Sequence, residues 1–200
     1  MLFVISGPSG AGKSTLCRRV LDNLEGLEFS VSHTTRKKRK GEVEGKDYYF
    51  VSQEEFKSLI KANGLAEWAV VHGHLYGTSK RELEKKGAER DLLLDIDIQG
   101  AQQIREKYKK AVSIFIMPPH FRDLRRRLKT RGQESSVSVQ KRLEVARKEI
   151  RHYHKFDYVV INDELKKAAQ ELESILRATR CSLDSRKMEI LSILRSFSGS

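Results

Sequence analysis

Apolar residues in this chain fall into two alternating rhythms. Short apolar runs occupy residues 2–6, 91–97, 111–117 and 156–161, the pattern of short buried strands. Between them, residues 13–24, 99–108, 121–130 and 138–152 carry apolar positions at helical spacing. Such alternation predicts βαβ units and an α/β fold, with a parallel sheet covered by helices on both faces. Residues 29–79 break the rhythm. Short β-type pieces at 29–32, 48–51 and 65–71 surround one helix, announced by Ser52 and Glu55 and continued by Phe56, Leu59 and Ile60. The S-x-x-E spacing is a capping box, in which two orphan backbone N–H groups are satisfied reciprocally. The chain is therefore expected to form a core from 1–32 and 80–180, with a small β-rich lobe inserted at 33–79.

From Leu165 the pattern is helical again, with Leu165, Ala168, Ala169, Leu172, Ile175 and Leu176 on one face. A tail over 181–200 repeats helical spacing with Leu183, Met188, Ile190, Leu191, Ile193, Leu194 and Phe197. It reads either as extra core or as a subunit contact in a homodimer.

Composition narrows the class. Of 200 residues, 38% are hydrophobic and 33% charged, too apolar for disorder and too polar for a membrane protein. No apolar run approaches the ~18 residues of a membrane-crossing helix. Two cysteines, Cys17 and Cys181, are too few for a metal cage or a disulfide framework. With no basic leader ahead of the first apolar run, a cytoplasmic setting is expected. The net charge is +12, and two segments hold all of it: residues 33–46 carry +4 and residues 118–155 carry +8. Local basic patches suit nucleic acid or small, highly anionic ligands.

The motif that separates those options is Gly7-Pro8-Ser9-Gly10-Ala11-Gly12-Lys13-Ser14-Thr15, a full G-x-x-x-x-G-K-[ST] match placed between a buried strand and an amphipathic helix. Glycines let such a loop wind so that successive backbone N–H groups face phosphate oxygens. The positive end of the next helix faces the same anion. Lys13 is expected to reach the β- and γ-phosphates and Ser14 to face Mg²⁺ accompanying ATP.

A second motif, Leu92-Leu93-Leu94-Asp95-Ile96-Asp97, places two acids at the end of a parallel strand. They are positioned to hold Mg²⁺, Asp97 through a water, or a ligand donor; alternatively one of them caps the next helix. Asp97-Ile98-Gln99-Gly100 also spells the D-x-x-G of signalling GTPases, but the N-K-x-D element that those proteins need is missing. The arginines are harder to treat as a solvated face than the lysines, because the guanidinium fork pairs bidentately with phosphate.

Together these residues resemble guanylate kinase of the bacterial type. The resemblance is carried by the phosphate loop, then Phe29-Ser30-Val31-Ser32-His33-Thr34-Thr35-Arg36, Gly41-Glu42, Gly45-Lys46-Asp47-Tyr48-Tyr49-Phe50, Glu67-Trp68-Ala69, Tyr76-Gly77-Thr78, Leu94 to Gly100, and Pro118-Pro119 ahead of an arginine-rich helix. It implies a nucleoside monophosphate kinase fold with a P-loop core, a GMP lobe and an arginine-bearing lid at about 120–150. It further implies that Arg36 and Arg39, with Tyr48 and Tyr76, grip the GMP phosphate, and that Ser32, Glu67, Thr78 and Asp95 read guanine, with Asp97 beside them. Arg127, Arg131 and Arg142 match lid arginines that meet ATP phosphates, and Asn162 matches a contact near adenine. The catalytic set is then Lys13, Arg36, Arg127, Arg131 and Arg142. Serines at Ser135, Ser136 and Ser138 stand where the family often has acids. Two other classes compete: an inactive interaction module of the same fold, disfavoured by the intact Gly12-Lys13-Ser14, and a nucleic-acid binder, suggested by charge alone. ATP and GMP are the expected partners, with no nucleic acid and no membrane.

Overall fold

The computed structural model describes residues 1–87, 90–130 and 136–198. In chain order its elements are β1 (Leu2–Ser6), α1 (Lys13–Asn23), β2 (Leu27–Phe29), β3 (His33–Thr34), β4 (Tyr49–Phe50), α2 (Gln53–Lys61), β5 (Leu65–Val71), β6 (His74–Ser79), α3 (Lys80–Gly87) and β7 (Asp91–Asp95). There follow α4 (Ile98–Lys107), β8 (Val112–Met117), α5 (Phe121–Thr130), α6 (Ser136–Glu149), a 3₁₀ segment (Ile150–Lys155), β9 (Tyr158–Ile161), α7 (Leu165–Arg180) and α8 (Leu183–Ser198).

A five-stranded parallel sheet in the order β2-β7-β1-β8-β9 forms the centre. Alternate side chains of β1 go to opposite faces. Phe3 and Ile5 pack with Leu16 and Val20 of α1 and Leu172 and Leu176 of α7. Val4 packs with Leu83 of α3 and Ala101 and Ile104 of α4. Burial on both faces is why β1, β7 and β8 read as continuous apolar runs; the run at 156–161 is the exception, because β9 lies at the sheet's edge and buries only Val160. All five strands point the same way, so Ser6, Asp95, Met117 and Ile161 reach the same edge, where open α/β sheets hold their ligands.

The second sheet has four short strands in the order β4-β3-β6-β5. Its main unit is the β5–β6 hairpin, turned at His72-Gly73 with φ values of 50° and 80°. Positive φ at both central residues matches the twist of paired strands. A register irregularity between Leu65 and Glu67 rotates the strand so that Glu67 and Ala69 face inward while Trp68 and Val70 face out. α2 carries the capping box as expected: Glu55 N donates to Ser52 Oγ at 3.1 Å and Ser52 N to Glu55 Oε2 at 2.7 Å. α5 and α6 pack on each other through Leu124, Leu128, Val139, Leu143 and Ala146.

One expectation is corrected, two elements are added and one open alternative is narrowed. The predicted strand at 29–32 is divided: Phe29 ends β2 of the central sheet, Ser30 N donates to Leu93 O, and β3 of the small sheet begins at His33. An apolar run does not record the point at which a chain passes from one sheet to another. β6 and α3 went unpredicted because Gly77 interrupts one and Leu83 is the lone large apolar residue in the other. The tail, read as extra core or subunit contact, adds no core: α8 leaves Leu183, Met188 and Phe197 each about four-fifths exposed at 78%, 78% and 79%.

Candidate active site

The loop from Gly7 to Lys13 depends on glycine at defined points. Gly12 has φ of 95° and caps α1, and a β-carbon there would overlap the amide of Asn162. No side chain caps α1 and no acid stands in its first turn, so its N-terminal N–H groups are left for an external anion. Lys13 Nζ rests on the carbonyls of Gly7 and Pro8 at 2.7 and 3.4 Å. The buried Ala11 carbonyl accepts from Asn162 Nδ2 at 2.7 Å and from Arg127 Nη1 at 3.3 Å, while Arg127 Nη2 donates to Asn162 O at 2.9 Å.

A cleft of about 240 Å³ joins this loop to the small sheet. It is lined by Gly7, Ser9, Gly10, Gly12, Lys13 and Ser14 from the loop side and by Ser32, Arg39, Tyr48, Glu67 and Tyr76 from the other, with Asp95, Asp97 and Arg142 between. A neighbouring cavity of about 300 Å³ collects Gly10, Gly12, Thr15, Arg127 and Asn162. Residues more than a hundred positions apart are thus gathered into two spaces along the phosphate loop that share Gly10 and Gly12 in their walls. Thr78 sits behind the first cleft, and Arg131 lies outside the described residues.

Glu67 is the most unusual group. It is 3% exposed, and its Oε1 accepts from Thr78 Oγ1 at 2.7 Å, which lies 3.2 Å from Ser32 Oγ. Burial, with the nearby charge of Asp97, pushes its carboxyl up to about 7, against the Thr78 hydroxyl and Lys107. A carboxylate so placed accepts from ligand N–H groups and gains strength from the low local dielectric. Asp97 is half-committed: its Oδ1 caps α4 by accepting from Gly100 N at 2.8 Å, so the capping alternative holds while its side chain still lines the cleft. Ser14 Oγ donates to Asp95 Oδ2 at 2.7 Å.

Arg36 differs from Arg39. Its guanidinium forks onto Glu42 at 2.7 and 3.0 Å, its Nε donates to the Tyr76 hydroxyl at 3.2 Å, and it lies over the Tyr48 ring at 5.4 Å. Burial, then the Asp95 and Tyr76 charges, pushes the Tyr48 phenol up, so Tyr48 stays a proton donor. Arg36 therefore holds the two tyrosines in place, whereas Arg39 lines the cleft. From α6, Arg142 Nη2 donates to Ser9 Oγ at 2.6 Å, and Ser9 N approaches Glu149 Oε2 at 3.4 Å. Neither Glu42 as the partner of Arg36 nor Glu149 is among the residues singled out from the sequence. Glu149 lies seven residues, two helical turns, beyond Arg142, and that spacing is the signal that could have found it.

Comparison with known proteins bears on the same residues. The family model described as guanylate kinase matches residues 1–179, leaving α8 beyond the match. The guanylate kinases of Geobacter metallireducens and Geobacter sulfurreducens are each 50% identical to this chain over 182 residues, 90% of either protein. That of Caldanaerobacter subterraneus is 45% identical over 188 residues, 94% of this chain and 91% of the relative. The crystal structure of guanylate kinase from Anaplasma phagocytophilum superposes with a TM-score of 0.76 at 38% identity, covering 91% of this chain and 87% of that one. An uncapped phosphate loop facing a buried carboxylate, in a chain matched over nine-tenths of its length, places this protein in the guanylate kinase family, whose reaction is transfer of the γ-phosphoryl group of ATP to GMP.

Proposed function

We propose a division of labour within that reaction. ATP lies along the phosphate loop from Gly7 to Thr15, its adenine end toward Asn162, its phosphates toward Arg127 and its γ-phosphate toward Lys13 and Ser9. GMP, and equally dGMP, occupies the cleft against the small sheet, its phosphate on Arg39, Tyr48 and Tyr76, with Arg36 supporting the tyrosines. Guanine meets Glu67, backed by Thr78 and Ser32. Asp95 and Asp97 stand where the two nucleotides face each other. In this reading the segment 33–79 is the GMP lobe, about 120–150 is the lid, and the remainder to 180 is the core. The observation that carries it is the buried Glu67–Thr78–Ser32 chain, whose carboxylate suits the adjacent N1–H and 2-amino donors of guanine, where adenine has an acceptor at N1 and no 2-amino group.

Mg²⁺ belongs to this reading as a companion of ATP. Ser14, and Asp97 through water, are the residues that would hold it, and an all-oxygen set suits a hard cation. Bound there, it would neutralise charge on the β- and γ-phosphates. The protein's own share is alignment and charge: the loop N–H groups and Lys13 hold the transferring group, Arg39 and the tyrosines hold the acceptor phosphate in line, and Arg142 approaches from the lid. The exposed apolar side chains of α8 support a homodimeric contact. The free thiols of Cys17 and Cys181 suit a cytoplasmic setting, and no described helix is long and apolar enough to cross a membrane.

Coupled measurement of ADP formation with GMP, AMP, CMP and UMP in turn tests the proposal; turnover confined to the guanine nucleotides is expected, and comparable rates with all four would overturn it. Two further outcomes follow from single groups. Arg142→Ala is expected to lower kcat about 10- to 10²-fold, the worth of one charge-assisted hydrogen bond, with little change in the KM for GMP. A loss confined to the KM for GMP would move Arg142 from the lid to the acceptor site. Because guanine donors require ionised Glu67, GMP affinity should fall as pH drops below about 7, by up to about tenfold per pH unit. The GMP phosphate titrates nearby, at about 6, but identically in any variant. Titration calorimetry of wild type and Glu67→Gln from pH 8 to 5.5 therefore isolates the Glu67 contribution; matching pH profiles would refute it.

A further inference from the structure

Gly100 stands at the third position of α4, three residues after its cap Asp97, and is buried. Its backbone is helical, so no conformation reserved for glycine is required there. Glycine is nevertheless the poorest helix former after proline, and alanine would serve the helix better. The reason for glycine lies across the interface with β5. A β-carbon on Gly100 would overlap Oε2 of Glu67, lie 3.0 Å from its Cδ and come within 3.2 Å of Asp97 Oδ1.

Glu67 has little freedom to retreat from such a methyl group. Its other oxygen is fixed by Thr78 Oγ1 at 2.7 Å, and the side chain is enclosed. On the strand side, a β-carbon at Gly77 would come 2.8 Å from the Glu67 carbonyl and 3.1 Å from Phe56, so the hairpin is itself closely packed against α2. Cores of this density do not absorb an added methylene without displacement. α4 is bound to the same strand: Gln103 Nε2 donates to Trp68 O at 2.7 Å and Lys107 Nζ to Ala66 O at 2.6 Å. Neither partner can move away freely.

We propose that Gly100 is a specificity-positioning residue: the missing side chain at the start of α4 is the space in which the Glu67 carboxylate is seated, and that seat sets its aim at the base. This rests on the reading of Glu67 as the guanine-facing group. It also gives the D-x-x-G stretch a role unrelated to GTPase switching. Asp97 caps the helix, and Gly100 clears room for the reading carboxylate.

The test is a four-protein cycle: wild type, Gly100→Ala, Glu67→Ala and the double variant. Without substrate, Gly100→Ala should lower the Tm of wild type by about 3–10 °C, the scale of an overpacked core at this chain length. In the Glu67→Ala background the same change should be neutral or raise Tm, since only the gain in helix propensity remains. At pH 8, Gly100→Ala should reduce kcat/KM for GMP at least about tenfold, by analogy with one lost charge-assisted hydrogen bond. AMP turnover and the KM for ATP should be little changed. Equal Tm shifts in the two backgrounds would overturn the proposal alone. Coupled Tm shifts with equal kinetic losses for GMP and AMP would overturn it together with the reading of Glu67. Should Gly100→Ala fail to fold, a folded double variant supports the proposal and an unfolded one refutes it.

Discussion

Lys13→Ala is expected to lower kcat by about 10²–10³ while leaving the protein folded. Phosphoryl transfer asks the protein for little covalent chemistry; catalysis lies in positioning and in charge held against the equatorial oxygens of the transferring group. Removing one preorganised group from such a site commonly costs about 2.7–4 kcal/mol. In the present structure the Lys13 ammonium is held by the Gly7 and Pro8 carbonyls, so it is already poised over the loop and need only exchange those acceptors for phosphate oxygens. The fold does not depend on it: the core around α1 is formed by Leu16, Cys17 and Val20. Steady-state kinetics with circular dichroism on the variant checks both halves. Retention of more than half the wild-type kcat would remove Lys13 from the chemistry.

How much of the fold is legible in the chain depends on whether the information is local. β1, β7 and β8 announce themselves because a strand buried on both faces has no polar alternation to confuse it; β9 is found from its apolar run as well, yet at the sheet's edge it leaves Tyr158, Val159 and Ile161 exposed. α2 is bounded by its own capping box. β6 and α3 are not local in this sense, since β6 owes its strand to pairing with β5 and α3 presents a single large apolar side chain, Leu83, to the core. The boundary between the two sheets at Ser30–Ser32 is likewise set by partners far away in sequence, Leu93 on one side and Glu82 on the other.

The site divides in the same way. The phosphate loop is contiguous, so its motif can be read whole from nine successive residues, Gly7 to Thr15. Asp95 and Asp97 are read from their place at the end of an apolar run; most of the others are identified through resemblance to guanylate kinase, and the structure adds what each touches. Arg36 is paired with Glu42, Asn162 braces the loop carbonyl of Ala11, and Arg142 reaches Ser9. Asn162–Ala11 and Arg142–Ser9 join segments more than a hundred residues apart, and Arg36–Glu42 depends on how one loop folds back on itself; no regular spacing in the chain encodes them. Glu149 is the partial exception, since its two-turn offset from Arg142 puts both on one face of α6. The bulge at Leu65–Glu67 is equally invisible in the sequence, yet it is what turns Glu67 inward.

At pH 8, where most Glu67 is ionised, wild-type protein is expected to use AMP about 10⁴–10⁵ less efficiently than GMP. Guanine presents an N1–H and a 2-amino group, and each charge-assisted hydrogen bond to a carboxylate is worth roughly 1.5–3 kcal/mol. Adenine has an acceptor at N1 and no 2-amino group, so the buried Glu67 carboxylate would face a lone pair and lose the ligand donors that offset its desolvation, a penalty that sites built for polar recognition turn into discrimination of this size. Glu67→Gln keeps the shape but replaces an acceptor with a donor. GMP efficiency should therefore fall by about 10²-fold or more, while AMP stays low or rises slightly. Arg39→Ala, on the phosphate rather than the base, should weaken both monophosphates by a similar factor. The decisive measurement is kcat/KM for GMP and for AMP in wild type and Glu67→Gln under one set of conditions. Collapse of the GMP-to-AMP ratio in the variant is the predicted result, and equal losses for the two bases would contradict the assignment of Glu67 as the residue that reads guanine.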